Sequence, residues 1–356
     1  MNLIFILGTK AQFIKTIPLI NLSIKEQIKV TVINLNQHPE KIKKLIENIN
    51  GNYKYVTFVN NKKDVGTYIS ALIWISKVLF KTIFKPDLNL RNNLSVIHGD
   101  TISTLLGAIL IKRNKGRVVL LEAGLGFPGM FKHFPESFVR YYVAKFSEFM
   151  IANGNEQILQ LKKWKVKGDI LEISNNTIYD SLDLVKLEEN SDRKIVTISI
   201  HRTENINNKA NMKSLVDIIL KIDSKYEIKW YLHMPTKNRL KSYGLIQALI
   251  NNGVNLQDLA PYEEFLNSIY SSDFVISDGD GVVEECFFLG IPTLVWRYEH
   301  IDSNHLFLKG SSLKLSEFNE SICLKFFQNY KSYKNNRKQI SKSPSKEALS
   351  HLMNIS

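Results

Sequence analysis

The sequence predicts an α/β fold built from two Rossmann-like domains that face each other across a cleft. Short runs rich in β-branched residues alternate with longer amphipathic stretches along the chain, which indicates parallel sheets covered by helices on both faces. With 356 residues, of which 44% are hydrophobic, the chain has enough apolar material for about two domains. The alternation breaks near Asn175, which divides the strands into two groups.

About six strands are predicted in each group. The first group is NLIFILG, IKVTVINLN, YKYVTFV, LSVIHGD, RVVLLEAG and FMIAN. The second group is DILEIS, KIVTISIH, IKWYLHM, VNLQDLA, FVISDG and PTLVWR. We predict an N-terminal domain over residues 1–174 and a C-terminal domain over residues 175–335, whose last helix packs back on the first domain. The basic tail that follows, residues 336–356, is rich in Lys, Ser and Asn, and we expect it to be poorly ordered.

The net charge of +13 is concentrated in the first half of the chain. Residues 1–180 contain 25 Lys and Arg against 13 Asp and Glu, whereas residues 181–356 contain 22 against 21. A basic half attracts nucleic acid, an anionic membrane or phosphorylated substrates. Neither a zinc-ligand spacing nor another nucleic-acid signature accompanies the charge. We therefore expect no nucleic-acid partner and no bound metal.

Cysteine usage and hydropathy indicate the compartment. The sequence has only two cysteines, Cys286 and Cys323, which favours a reducing environment over a disulfide framework. The opening run MNLIFILG is short and apolar, which is typical of a first β-strand and not of a signal peptide. We expect a cytoplasmic protein, with peripheral contact at the inner face of the membrane as an alternative.

That alternative depends on one predicted helix, Tyr68 to Lys85. Three lysines recur every fourth residue on one face, opposite three apolar residues: Lys77, Lys81 and Lys85, against Leu72, Ile75 and Leu79. A basic amphipathic helix of this kind can lie on an anionic membrane. A surface helix packed on a sheet, with solvated lysines, has the same pattern and is favoured here.

Ligands bind outside the carboxyl ends of parallel strands, so the residues after each strand are the candidate site. Glu122 ends a wholly apolar run, where burial of a carboxylate costs several kcal/mol unless the group is paired or used. Asp100 also follows a strand, as a functional carboxylate or as a helix N-cap. Glu136 opens the next helix, where it could simply complement the dipole. We expect the three carboxylates to lie on one rim.

The second half has its own candidates, in the stretch DGDGVVEECFFLGIP. Gly279 and Gly281 suit a turn into a helix whose N-terminus faces a phosphate. Asp280, between them, places a carboxylate where that phosphate would lie. Glu284 or Glu285 is well placed to hold a ribose diol, although either could serve the helix dipole instead.

In order, the motifs GTK, NQH, HGDT, EAGL, HFPE…R, SNNT, HRTEN, HMP, PYEEF and SDGDGVVEE…LGIP resemble the UDP-N-acetylglucosamine 2-epimerases from about Gly8 to Arg297. The resemblance implies a GT-B-like pair of domains, with acid–base chemistry in the first and nucleotide binding in the second. It implies interconversion of UDP-GlcNAc and UDP-ManNAc by UDP elimination and re-addition, for surface polysaccharide synthesis, with a UDP-sugar as substrate and no cofactor. Related epimerases are commonly dimers, so a homodimer is also implied.

Roles carry over by motif. The resemblance assigns catalysis to Asp100, Glu122, Glu136 and His201. It assigns nucleotide-sugar contacts to Lys10, Lys15, Arg140, Arg202, Glu204, His233, Gly279, Asp280, Gly281, Glu284, Glu285 and Arg297. Three neighbouring carboxylates should repel one another and raise the pKa of at least one.

The chain departs from the family mainly where phosphate is handled. The family's GTRPE stands here as GTKAQ, its EAGLR as EAGLG, its SGG turn as GDG, and its TERPE run as RYEHIDSNH. Several arginines are thereby lost, and Lys does not replace a bidentate Arg. Two alternatives to an epimerase therefore stay open, a hydrolysing 2-epimerase and a GT-B-type glycosyltransferase acting at a membrane surface.

Overall fold

The computed structural model describes residues 1–84, 88–126, 135–188, 194–298, 306 and 310–356. Within these residues the chain forms two compact units, which are described separately. The first unit comprises Met1–Leu184 and Ser341–Ser356, and the second comprises Val185–Ile340.

The first unit contains a seven-stranded sheet in which every strand pair is parallel, in the order β3-β2-β1-β4-β5-β6-β7. Its strands are β1 (Asn2–Leu7), β2 (Lys29–Asn34), β3 (Lys54–Thr57), β4 (Leu94–His98), β5 (Arg117–Leu121), β6 (Phe149–Ala152) and β7 (Asp169–Glu172). His98 lies opposite Leu121 in the β4–β5 register. The residues after these two strands therefore share one edge of the sheet.

The helices of the first unit are α1 (Lys10–Lys25), α2 (Pro39–Ile46), α3 (Tyr68–Phe84), α4 (Ile102–Arg113), α5 (Glu136–Phe146), α6 (Asn155–Lys163), α7 (Ile178–Ser181) and, from the chain end, α15 (Pro344–Asn354). A capping box starts α1, because Thr9 accepts from the backbone of Gln12 while the Gln12 side chain accepts from Thr9. Both faces of β1 are buried, and the apolar cluster against one face of the sheet includes Trp74, Phe58 and Ile97.

The second unit contains six parallel strands in the order β10-β9-β8-β11-β12-β13. They are β8 (Ile195–Ser199), β9 (Glu227–Leu232), β10 (Asn255–Asp258), β11 (Phe274–Ser277), β12 (Thr293–Val295) and β13 (Leu313–Leu315). Its helices are α8 (Thr203–Ile206), α9 (Lys209–Ile219), α10 (Met234–Ser242), α11 (Ile246–Asn251), α12 (Tyr262–Tyr270), α13 (Asp280–Leu289) and α14 (Glu320–Asn329). Trp230, Phe274 and Trp296 are buried in its core.

The twelve predicted strands are all present, with two corrections to their grouping. The strand DILE, listed with the second group although it lies within residues 1–174, is β7 at the edge of the first sheet. The second sheet reaches six strands through β13, a three-residue strand too short to give a sequence pattern.

The first unit extends ten residues past the expected boundary at 174, to Leu184. The helix α7 packs on α1, and the Ser181 hydroxyl donates to the Ile14 carbonyl at 2.7 Å. The expectation of a poorly ordered tail is wrong for residues 344–354. They form α15, whose first turn is fixed when the Ser345 N–H donates to Asp180 at 2.7 Å.

The helix α3 packs on the core as predicted through Ile75 and Leu79, but it differs from the prediction at other positions. Leu72, expected on the packed face, is 65% exposed, whereas Trp74 and Val78 are buried. Lys81 donates to the Phe58 carbonyl at 2.6 Å, so its ammonium is turned toward the protein, and Lys85 lies outside the described residues. The outer face of α3 is thus mainly apolar, although Ser76 and Lys77 are also exposed on it. In the described part of the chain, no helix is both long and apolar enough to cross a membrane.

Candidate active site

Glu122 is the centre of a largely buried polar cluster in the first unit. It directly follows β5, and its φ of 57° is in the left-handed region that a non-glycine residue adopts rarely and at some cost. Lys15, on α1, donates to Oε1 at 2.5 Å, and the Asn176 amide donates to the same oxygen at 2.6 Å. His98 Nδ1 lies 3.6 Å from Oε2. The carboxylate that the sequence required to be paired or used is therefore paired.

Opposing influences act on the pKa of Glu122. Burial alone would raise it, but the adjacent Lys15 ammonium and the donated hydrogen bonds outweigh burial, so the pKa lies below its ordinary value of 4.5. The rise expected for at least one of the three carboxylates thus does not occur at Glu122, since a cation is its nearest charge. Burial also lowers the pKa of His98 to about 4, although Glu122 opposes the fall. At neutral pH the cluster holds an ionised Glu122, a charged Lys15 and a neutral His98.

Asp100 lies at the same sheet edge, two residues beyond β4. Arg140 Nε donates to its Oδ2 at 2.6 Å, and the Arg140 side chain is only 8% exposed. Glu136 is exposed and begins α5, one turn before Arg140. The structure therefore brings Asp100 and Glu122 to one edge, with Glu136 on the helix that supplies the arginine.

The family's glutamate in the first βα turn is Gln12 here, and its contacts are structural. Its amide nitrogen donates to the His98 carbonyl at 2.8 Å and to the Thr104 hydroxyl at 2.9 Å. Its oxygen accepts from the Gly8 N–H at 2.8 Å. The side chain thus ties the β1–α1 turn to the β4–α4 turn and orients the edge that carries Asp100. Lys10, the first residue of α1, acts electrostatically on the nearby His38.

A second polar cluster lies at the carboxyl ends of β8, β11 and β12, which are neighbours in the second sheet. The fully buried Asp278 organises it. Its carboxylate accepts from the backbone N–H groups of His201 and Arg202 at 2.9 and 3.0 Å and from the Asn205 amide at 2.9 Å. These bonds fix the HRTEN turn onto the start of α13.

Asp280, the first residue of α13, bridges two arginines. Arg202 donates to one carboxylate oxygen at 2.8 Å, and Arg297 lies 2.7 Å from the other. Glu204 also accepts from Arg202. Burial alone would raise the pKa of Glu204, but the Arg202 guanidinium and the hydrogen bonds outweigh burial, so the pKa lies below its ordinary value. Arg297 donates as well to the Asp278 carbonyl, from Nε at 2.9 Å. The expected phosphate turn thus contains a carboxylate already held by guanidinium groups.

Two histidines stand beside this turn. The rings of His201 and His233 stack with centroids 4.6 Å apart, because β8 and β9 are neighbours. A Cβ on Gly279 would come within 2.4 Å of His201 Cε1, so only glycine permits this approach. Gly281 is the second residue of α13.

The structure separates the two glutamates proposed for the ribose. Glu285 is 5% exposed, and its charge, with burial as the larger cause, raises the pKa of the Tyr262 hydroxyl well above its ordinary value. Glu284 is half-buried and lies one turn after Asp280, so the two share a face of α13. Glu285 is therefore a core residue beside α12, and Glu284 is the better candidate for a ligand contact.

Sequence reasoning missed His98, Asn176 and Asp278 as site residues. His98 and Asp278 carried the same signal as Glu122, a polar residue at the end of an apolar strand. Asn176 had only the polar run SNNT after β7, which is also typical of an ordinary turn.

Comparisons with known proteins agree with this architecture. The family model described as UDP-N-acetylglucosamine 2-epimerase matches residues 21–345. The UDP-N-acetylglucosamine 2-epimerase of Methanocaldococcus jannaschii is 29% identical over 316 residues, 83% of this chain and 84% of that protein. The protein of the same name from Methanococcus maripaludis is 29% identical over 331 residues, 86% and 87% of the two chains.

Solved structures give the fold. The UDP-GlcNAc 2-epimerase of Methanocaldococcus jannaschii, crystallised with UDP-GlcNAc and UDP, superposes with a TM-score of 0.78 at 23% identity over 100% of both chains. The Neisseria meningitidis UDP-GlcNAc 2-epimerase bound to UDP-GlcNAc gives 0.79 at 21% identity, over 99% and 100%. The predicted fold class, two parallel-sheet α/β domains like those of GT-B-type epimerases, is confirmed. Because the family model covers most of the chain, the protein belongs to the UDP-N-acetylglucosamine 2-epimerase family.

Proposed function

We propose that this protein is an isomerase that interconverts UDP-GlcNAc and UDP-ManNAc by eliminating UDP and adding it back. The observation that carries the proposal is the largely buried Glu122, held ionised by Lys15 and Asn176 beside Asp100 and its arginine. The relatives named above bear the name of this activity. They support the epimerase and not the glycosyltransferase alternative.

The reaction needs a base, a stabilised leaving group and an acid. A base takes the proton from C2 of the sugar while the C1–O bond breaks and its electron pair leaves with UDP, which gives a C1=C2 double bond. In the return step a proton is added to C2 from the opposite face, and UDP bonds to C1 again. A sugar C2–H is weakly acidic, so the proton acceptor must be held in place. Glu122, ionised and fixed by two donors, suits that role, with Asp100 or Glu136 as the partner on the other face.

We assign the nucleotide contacts to the second unit. His201, Arg202 and Arg297 are the candidates for the diphosphate, since guanidinium groups bind phosphate oxygens in a bidentate way. Glu284 is the candidate for the ribose hydroxyls.

Deuterium incorporation tests the proposal. With UDP-GlcNAc in D₂O, we expect deuterium at C2 of both sugars, measured by ¹H NMR and mass spectrometry. Glu122→Gln should lower exchange by at least about a hundredfold. The matched control is Glu148→Gln, an exposed glutamate paired with Lys112, which should keep the wild-type rate. Release of UDP only when an acceptor glycan is added, without exchange, would contradict the epimerase. Accumulation of free ManNAc would instead identify a hydrolysing form.

We further propose that a second copy of this chain covers the outer face of α3. Seven large apolar residues of this helix are about half to almost fully exposed: Tyr68, Ile69, Leu72, Ile73, Phe80, Ile83 and Phe84. Together they expose on the order of 800–1,000 Å², more than the largest patch on a typical monomer and about one partner's share of a standard interface.

The pattern on α3 is self-complementary. Ser76, small and exposed, is the midpoint of Tyr68–Phe84. In an antiparallel pair related by a two-fold axis at Ser76, Leu72 of each helix meets Phe80 of the other, and Ile69 meets Ile83. An anionic lipid surface would be bound by several lysines, but Lys81 is turned toward Phe58, which leaves Lys77 as the one exposed lysine in the described part of α3. These features favour a second copy over a membrane.

Sedimentation velocity tests this interface. We expect a dimer for the wild type and a folded monomer for Leu72→Glu. Leu159→Glu is the matched control, since Leu159 on α6 is also 65% exposed but lies outside the α3 face, and it should stay dimeric. A monomeric wild type would contradict the proposal, and flotation with anionic vesicles that Leu72→Glu abolishes would support the membrane alternative.

A further inference from the structure

We propose that Asp280 is an internal occupant of the phosphate position in the second unit and that it weakens binding in proportion to ligand charge. The inference rests on the proposed function, in which this unit binds a uridine nucleotide. Asp280 then sets the preference of this unit among uridine ligands.

The geometry is that of a bound anion. One oxygen of Asp280 accepts from Arg202 at 2.8 Å, and the other lies 2.7 Å from an Arg297 nitrogen. The two arginine side chains are 12% and 10% exposed, and Asp280 is 36% exposed. Two nearly buried guanidinium groups thus converge on one carboxylate that reaches solvent. An oxygen pair shared by two arginines is also the arrangement by which proteins hold a phosphoryl group.

The charges around this point are unfavourable for a free diphosphate. The guanidinium groups of Arg202 and Arg297 contact two carboxylates, those of Asp280 and Glu204. The Asp278 carboxylate lies close by, since it accepts from the Arg202 backbone N–H. A phosphate at the start of α13 would gain from the helix dipole. It would also lie beside Asp280, so either Asp280 leaves the arginines or the ligand binds against its charge.

Ligand charge decides how large this penalty is. Near neutral pH the terminal phosphate of UDP has a second ionisation with a pKa near 6, so UDP carries about one more negative charge than a UDP-sugar. Uridine carries none. Asp280 should therefore weaken UDP most, UDP-GlcNAc less and uridine not at all. In the proposed reaction, UDP is a molecule separate from the sugar only between elimination and re-addition, when both lie in the site. Asp280 thus raises the fraction of turnovers in which UDP and the unsaturated sugar escape.

The test is calorimetric titration of the full-length protein with UDP, UDP-GlcNAc and uridine. Asp280→Asn keeps the shape and removes the charge, and we expect about tenfold tighter UDP binding at low salt, a smaller gain for UDP-GlcNAc and unchanged uridine binding. The matched control is Asp258→Asn, which removes the same charge from the end of β10, where Asp258 pairs with Lys237. It should change UDP affinity less than about twofold.

A second readout follows the reaction. Asp280→Asn should lower the amount of free UDP released per deuterium incorporated at C2. Unchanged or weaker UDP binding in Asp280→Asn would overturn the proposal and show that Asp280 positions the arginines. An equal gain for uridine would also overturn it. If neither UDP nor uridine binds to the wild type or to the variant, the nucleotide site itself is wrong. Asp280→Gly, which restores the family's residue, repeats the test if the asparagine variant is unstable.

Discussion

The Lys15 ammonium and the Glu122 carboxylate, 107 positions apart in the chain, meet at 2.5 Å at the carboxyl edge of the first sheet. The lysine comes from α1, which follows β1, and the glutamate follows β5, two strands away in the sheet. Their side chains are 12% and 11% exposed. The pair therefore keeps a charge ionised where burial alone would neutralise it.

Lys15→Met should raise the pKa of Glu122 and so change how the free energy of unfolding and the deuterium exchange rate depend on pH. The lowered pKa of Glu122 contributes stability that is present above the ordinary pKa of 4.5 and is lost as pH falls through the folded value. Without Lys15, burial dominates and the pKa rises. We expect a loss of about 3 kcal/mol at pH 7 that shrinks toward pH 4, and an acid limb of deuterium exchange shifted to higher pH.

Thermal unfolding and exchange rates between pH 4 and 8 measure both effects. Lys25→Met, an exposed lysine in the last turn of the same helix, is the control and should match the wild type. An unchanged acid limb in Lys15→Met would mean that Glu122 does not govern proton transfer.

Asn176→Asp separates a catalytic role from a structural one. The Asn176 amide donates to Glu122, while its oxygen accepts from the Ile178 N–H at 3.0 Å and starts α7. Aspartate keeps the second bond but replaces the donor with a negative charge. At a temperature where the variant is folded, we expect kcat to fall by about 10²-fold with little change in KM, since a positioned proton acceptor contributes on that scale. The new carboxylate also repels Glu122 at a buried position, so Tm should fall as well.

Asn319→Asp is the control for that substitution. Asn319 caps α14 through the same kind of bond, to Ile322 at 3.2 Å, far along the chain from the carboxylates. It should leave kcat unchanged. A fall in Tm that accounts for the lost activity of Asn176→Asp would instead make Asn176 a turn residue only.

Much of this site follows from local sequence, because apolar strands that end in a polar residue predict their own functional edge. Glu122, Asp100 and His201 were found in that way. The pairing of each could not be found, since Lys15 reaches Glu122 and Arg140 reaches Asp100 only through the order of strands in the sheet. A sequence shows that a buried charge needs a partner, but a lysine looks equally solvated on any helix.

The partners of Asp280 could not be predicted from the sequence either. Its position in the glycine turn predicted repulsion of a phosphate, whereas the two arginines that hold it are 78 positions before and 17 after it in the sequence. Helix α3 was misjudged for a related reason. Its periodicity marks an apolar face, but Trp74 and Leu72 differ in burial only because the sheet lies on one side.

Gly279→Ala should disturb the nucleotide turn sterically. A methyl group there would lie within 2.4 Å of the His201 ring, which would push the imidazole from its stack on His233. We expect KM for UDP-GlcNAc to rise by about tenfold, because a small misplacement of a binding group costs this much. Gly66→Ala is the control, since nothing lies within 4 Å of a Cβ at that position. Wild-type KM in Gly279→Ala would show that His201 need not be fixed.

The chain end should behave as part of the first unit. Leu352 on α15 is fully buried, whereas its neighbour Met353 is 49% exposed. In addition, Glu347 accepts from the Ser174 N–H at 2.8 Å and Ser345 donates to Asp180, which fixes the helix beside α7. Leu352→Asp should therefore destabilise the protein by about 3 kcal/mol or more, because it buries an unpaired charge and loses core contacts. Met353→Asp should change stability by less than about 0.5 kcal/mol. Denaturant unfolding of both variants measures the difference. If neither substitution lowers the free energy of unfolding, residues 344–354 are poorly ordered, as their composition suggests.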